Sequence, residues 1–139
     1  MKLLRMTDYA LRVLIYVGER PGRRCSVPEI AAAHHISAHH LVKIVHQLGR
    51  LGYLDTVRGR GGGVSLQSAP DQINLGALVR HFEGDDPVVD CNNCVLRGNC
   101  KLACTLKRSE EAFYARLGEE TLAHVIRPQI QPQTEAIEV

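Results

Sequence analysis

At 139 residues the chain is long enough for one domain with its own core and too short for two. An apolar fraction of 45% beside 23% charged residues excludes a disordered chain, and two Phe, four Tyr and no Trp make the core aliphatic. The net charge of +2 is too small to point to a partner, but Arg50, Arg58 and Arg60 cluster around a glycine-rich turn, while Glu83, Asp85, Asp86 and Asp90 gather just before a run of cysteines.

The opening MKLLRMTDYALRVLIYV is not read as a secretory signal, because Arg5, Asp8 and Arg12 interrupt it and no small-residue cleavage site follows. Its apolar run is too short to span a bilayer, so a cytoplasmic protein without a membrane partner is expected. Thr7 is the expected N-cap of a first helix, TDYALRVLIYVGER, with Ala10, Leu11, Leu14, Ile15 and Gly18 on one stripe. Arg20-Pro21-Gly22 ends it. Cys25, alone before the next cap, is read as a small structural residue. Ser26 and Glu29 make a capping box for a second helix, SVPEIAAAHH, with Ile30 and Ala33 facing inward. After a short break Ser37 is expected to cap a third helix, AHHLVKIVHQLGRLG, with Leu41, Ile44, Val45, Leu48 and Leu51 at helical spacing.

The period then changes. YLDTVR (53–58) and VSLQS (64–68) alternate as short strands around GRGGG, which predicts a β-hairpin. A fourth helix follows near NLGALVRHFEG, closed by Gly84. Beyond the cysteines a long helix over about 101–118 carries Leu102, Leu106, Ser109, Phe113 and Leu117 on one stripe, and a short TLAHVI segment precedes a tail of Pro, Gln and Glu. Two short helices, a tight turn, a third helix and a hairpin with a basic glycine tip make a winged helix-turn-helix. The fold class is mainly α with a small β-hairpin wing, plus a long C-terminal helix. The expected organisation is a winged helix-turn-helix over 1–84, a cysteine loop over 85–104, a long helix and closing helix over 101–126, and a flexible tail over 127–139.

In such a fold the second helix of the pair enters the major groove, and residues near its N-terminus reach base edges. Those are Ser37, His39, His40 and Lys43, with Gln47 and Arg50 further along the exposed side. The wing adds Arg58 and Arg60 beside Gly61 and Gly62, glycines that let backbone approach a surface and arginines that suit a narrow minor groove. The bland alternative, a solvated helix face, is reasonable for the helix alone. A basic triple-glycine turn directly after it tilts the reading to double-stranded DNA. Adjacent histidines at 34–35 and 39–40 diverge by about 100° on a helix, so neither pair is a natural chelate. No nucleophile–base pair or phosphate loop points to an enzyme.

The cysteines follow Cys91-x2-Cys94-x5-Cys100-x3-Cys104. In a reducing compartment such clustering favours metal or redox chemistry over structural disulfides. The spacing departs from the ferredoxin run and leaves an iron–sulfur cluster, a zinc site or a thiol–disulfide switch open.

MTDYALRVLIYV, HHLVKIVHQLGRLGYLDTVRGRGGGVSL and CKLACTLKRSEEAFYARL together resemble the dimeric winged-helix regulators typified by NsrR and IscR, over nearly the whole chain to about residue 126. HLVKIVHQL followed by GRGGG is most similar to the nitric-oxide-sensing branch. That resemblance implies a homodimeric repressor, with the long helix as dimerisation helix, whose operator binding is switched off when nitric oxide reacts with a bound cluster, 4Fe–4S rather than 2Fe–2S. It implies Cys91, Cys94 and Cys100 as ligands, with Asp8 donated by the partner subunit as the fourth. The first two cysteines are closer together than the family usually has them, and Cys104 is an addition, so Cys104 is an alternative ligand to Cys91 or Asp8. The cluster-assembly branch uses a histidine shortly after its third cysteine, where this chain has Lys107 and Arg108. An iron- or redox-responsive regulator of the same family and a zinc-stabilised DNA-binding protein are the competing readings.

Overall fold

The structure, a computed structural model, describes residues 1–128. Helices α1 (Arg5–Gly18), α2 (Val27–His34) and α3 (Ala38–Arg50) lead into strands β1 (Leu54–Val57) and β2 (Gly63–Leu66). A 3-10 turn at Pro70–Gln72 precedes α4 (Leu75–Glu83), α5 (Lys101–Leu117) and α6 (Leu122–Val125). The core is aliphatic, as the composition requires: Val13 and Leu14 of α1, Ile30 of α2, Leu41 and Leu48 of α3, Leu54 of β1, Leu78 of α4 and Leu122 of α6 meet in one cluster. Each fully buried Leu or Ile contributes about 1.5–3 kcal/mol relative to exposure.

The start of α1 differs from expectation. The helix begins two residues before Thr7, and Leu4 occupies the cap position without a side-chain bond. Thr7 is fully buried, and its hydroxyl donates to Glu83 Oε1 at 2.7 Å. The same oxygen accepts the Leu4 amide at 2.7 Å. A carboxylate from the end of α4 therefore satisfies an orphan donor that a local cap would otherwise take.

The capping box on α2 forms as read, with the Glu29 amide donating to Ser26 Oγ at 3.2 Å and the Ser26 amide to Glu29 Oε1 at 2.7 Å. Ala31, not Ala33, joins Ile30 in the interior. The helix stops at His35 in the left-handed region, φ 54°, which turns the chain into α3. Ser37 holds the cap position of α3 but makes no side-chain cap bond, and it stays exposed.

The strands pair antiparallel from Leu54 opposite Leu66 to Val57 opposite Gly63, which moves Arg58 into the turn. Cys25 extends the pairing, exchanging two 2.8 Å backbone bonds with Val64. It is fully buried, and burial pushes its thiol pKa up, in keeping with a structural residue. A Cβ on Gly62 would collide with the carbonyl of Val57 and come within 2.8 Å of that of Gly59, so the wing tip closes only around glycine.

Asn74 caps α4 through the Ala77 amide at 2.9 Å, and its side-chain amide donates to the Gly118 carbonyl at 2.6 Å, joining the start of α4 to the end of α5. The stripe expected on α5 holds in part: Leu106, Phe113 and Leu117 are half-buried, Leu117 against the core, while Leu102 is 59% exposed and Ser109 is exposed. The buried residue is Tyr114, beneath the Arg80 guanidinium at 4.1 Å from the ring centre. The end of α5 packs on α4, where a Cβ on Gly76 would meet Gly118 at 2.7 Å, and Leu102 near its start stays exposed. The chain then returns to the core through Leu122, whose amide donates to the Ile73 carbonyl at 2.9 Å. Residues 129–139, most of the expected tail, lie outside the described residues.

Candidate nucleic-acid interface and cysteine loop

α3 has two faces. Leu41, Ile44, Val45 and Leu48 are buried against α1, α2 and β1, and the opposite face carries polar side chains together with the exposed Val42. Ser37, His39, His40, Lys43 and Arg50 are exposed there, with Gln47 half-buried among them. His39 and His40 have ring centres 6.3 Å apart and no further partner that makes a chelate. The same holds for the other pair: His34 is half-buried edge-on to Tyr16, and burial lowers its pKa.

The structure brings His46 into this surface, in one groove with Lys43, Gln47 and Arg50. The sequence reading passed over it. Its spacing, three residues after Lys43 and four before Arg50, was the available signal. The wing presents Arg58 and Arg60 exposed at its tip beside Gly61, with half-buried Gly62 behind them. Lys43, Arg50, Arg58 and Arg60 have no carboxylate partner among the described residues, whereas Arg24 at the base of the wing sits 3.6 Å from Asp55. Unneutralised cations along a protruding helix and a protruding turn make a surface suited to a phosphate backbone.

The cysteines lie between α4 and α5 in a chain of tight turns. The Cys94 amide donates to the Cys91 carbonyl at 3.4 Å, Arg97 to Cys94 at 3.1 Å and Asn99 to Leu96 at 3.1 Å. Asp90 accepts the Asn92 amide at 2.9 Å. All five thiols are free; Cys94 and Cys104 are exposed, and Cys91 and Cys100 half-buried. Cys100 is the cap residue of α5, and Cys104 follows one turn later. Among the described residues no three His, Cys, Asp or Glu side chains converge as a metal site, so Cys91, Cys94, Cys100 and Asp8 are not gathered within one chain. The donor set nevertheless fits a soft metal: several unpaired thiols in one short, polar loop with no core of its own. Apolar Val95 and Leu96 stand out from it at 98% and 57% exposure.

Asp8 is engaged locally. Its two carboxylate oxygens accept Arg12 Nε at 2.9 Å and Nη2 at 3.0 Å, both side chains being nearly half exposed. The pairing raises the Arg12 pKa. Thr7 beside it is fastened to Glu83, eight residues before Cys91, so α1 and the root of the cysteine loop are tied together.

Comparison with known proteins agrees with this architecture. A family model described as Rrf2, iron-dependent transcriptional regulator, matches residues 3–128. The chain is 42% identical over 133 residues to the HTH-type transcriptional regulator NsrR of Bacillus subtilis (strain 168), covering 91% of each, and 43% identical over 132 residues to that of Geobacillus kaustophilus (strain HTA426), covering 91% of this chain and 90% of the relative. Among solved structures it is similar to CymR (YrzC), the global cysteine regulator of B. subtilis, with TM-score 0.73 and 29% identity over 88% of this chain and 94% of that one. IscR of T. potens shares the fold, with TM-score 0.71 and 22% identity over 88% of this chain and 84% of that one. These relatives are regulators rather than enzymes, and no helix among the described residues is long and apolar enough to cross a membrane. A winged helix with a cysteine loop before its long fifth helix, matched along nearly its whole length, makes this chain a member of the Rrf2 family of transcriptional regulators.

Proposed function

We propose that two copies of this chain form a cytoplasmic repressor that leaves its operator when nitric oxide reacts with an iron–sulfur cluster held by the cysteine loop. The observation that carries the reading is the loop itself: free thiols hung between α4 and α5 of a winged helix whose relatives are named NsrR. Cys91, Cys94 and Cys100 would hold a cluster, 4Fe–4S in preference to 2Fe–2S, with Asp8 of the partner subunit or Cys104 completing the set. When bound, such a cluster supplies iron that nitric oxide attacks, loosening its protein ligands.

The residues of the chain do the rest. A carboxylate oxygen is a poorer ligand than thiolate for a soft centre, so the Asp8 link is the weakest. Arg12 offers the released carboxylate a bidentate partner, the arrangement seen in the isolated chain. Asp8 lies on α1, which packs on α3, and α1 is bolted through Thr7 to the end of α4. Freeing or holding Asp8 therefore bears on the orientation of the reading helix. Shifting the operator from almost full to almost no occupancy requires about 5.5 kcal/mol of differential binding, within reach of repositioning two reading helices and two wings.

The test is an anaerobic ultraviolet–visible titration of freshly prepared protein with nitric oxide, with DNA binding followed in parallel. Cluster absorption that changes as DNA is released supports the sensor. A colourless zinc protein that binds DNA regardless of nitric oxide sinks the switch and leaves the winged helix. The family's description as iron-dependent favours a second reading, a sensor of iron supply, under which removal of iron releases DNA and nitric oxide is incidental. Asp8→Ala is expected to give a folded, cluster-bearing protein with an altered nitric-oxide response; behaviour identical to the parent assigns the fourth position to Cys104.

A further inference from the structure

A groove of about 280 Å³ runs between α1 and the reading helix, lined by Arg5, Met6 and Tyr9 on one side and by His40, Lys43 and Ile44 on the other. Arg5 and Lys43 are both exposed and reach this groove from different helices. Neither has a carboxylate partner among the described residues. Arg12, on the same helix as Arg5, is by contrast neutralised by Asp8 at 2.9 Å. Two like charges held around one groove repel unless an anion lies between them. Lys43 is also part of the groove that continues along α3 to His46, Gln47 and Arg50, so the cationic surface is continuous from α1 along the reading helix.

From this placement we infer that Arg5 and Lys43 clasp a backbone phosphate of the operator where the duplex passes the start of α3. Arg5 supplies a planar fork that matches phosphate oxygens, and Lys43 a point charge from the opposite wall. Met6 and Tyr9 line the same wall as Arg5 and offer apolar surface for its aliphatic stem. The contact fixes register rather than sequence, as phosphate contacts do. It rests on the DNA-binding reading and extends it to α1. Arg5 stands three residues before Asp8 on the same helix, so the turn that answers to the cysteine loop is also the turn that holds the duplex.

The clasp is tested with the full chain, prepared anaerobically, by fluorescence anisotropy on a duplex that the parent selects from random-sequence DNA, over a range of salt. Arg5→Gln is expected to reduce the slope of log affinity against log salt by about 0.9, which is about eightfold in affinity near 0.1 M salt. Arg5→Lys keeps the charge and the parent slope. Lys2→Gln, also in the first five residues but lining the groove toward α5 instead, leaves slope and affinity unchanged. A parent slope in Arg5→Gln overturns the clasp while DNA binding stands, and so does an equal loss in Lys2→Gln, which makes the effect one of diffuse charge. Loss of slope in Arg5→Lys as well assigns the change to a damaged helix start and overturns it too. A parent that selects no duplex overturns the DNA-binding reading itself, and the clasp with it.

Discussion

Glu83 Oε1 accepts two hydrogen bonds of 2.7 Å, from the Leu4 amide and the Thr7 hydroxyl, and Thr7 is fully buried. Thr7→Val keeps the shape but leaves the carboxylate one donor short. A loss of about 1–2 kcal/mol is expected, read as a lower urea midpoint with an unchanged slope. Other carboxylates are held by arginine. Glu29 is lowered to about 2, first by its hydrogen bonds from Arg23 and then by the Ser26 amide and Tyr16 hydroxyl, and Glu19 is lowered to about 2 by Arg127. Both lie below the ordinary 4.5, so their stabilisation is complete above that pH and is lost as pH falls toward 2. Melting temperature is expected to drop across this window, and Glu29→Gln to melt lower at neutral pH with a shallower acid decline. The two kinds of contact were not equally legible. The Ser26–Glu29 box could be read because its partners are three residues apart, whereas Thr7 meets a carboxylate 76 residues away and resembles a local cap.

Gly76 of α4 meets Gly118, the residue that closes α5, at close range. A Cβ on Gly76 would lie 2.7 Å from the Cα and amide nitrogen of Gly118, backbone atoms that cannot swing aside. Gly76→Ala should therefore cost about 1–3 kcal/mol despite alanine's better helix propensity, a sign that thermal denaturation checks directly. Sequence shows Gly76 only as a weak helix residue; its purpose is the crossing. Tyr114 was hidden for the same reason, since its burial depends on Arg80 of α4, which no local period shows. The wing was legible because a change from helical to alternating period brackets five residues that only a turn accommodates. Arg60 at its tip has no carboxylate partner among the described residues, and Arg60→Gln is expected to weaken DNA binding and reduce the salt slope by about 0.9. An unchanged slope and affinity would remove the wing tip from the interface.

Across the whole molecule, six arginines among the described residues stand within 4.0 Å of a carboxylate, and none of them lies on α3 or at the wing tip. The winged helix could be read from the order of elements, because each local signal agreed with the next. The cysteine loop could not be folded from sequence. It has no apolar period and no regular structure, only successive turns, and its most prominent apolar residues, Val95 and Leu96, point away from its own chain's core.

The C-terminal return has a practical consequence. Leu122 is wholly inside, Ile126 lies 3.3 Å from where a side chain on Gly18 would begin, and Arg127 grips Glu19 at the far end of α1. The first helix of the winged unit is thus buttressed by a segment that follows the cysteine loop in the chain. A ribosome-bound fragment ending at the wing holds α1, α2, α3 and the hairpin and still lacks the support that sets α1 in place. The packing around α1 is completed only when translation has passed the cysteines, so a chain interrupted within the loop is expected to hold its first helix loosely.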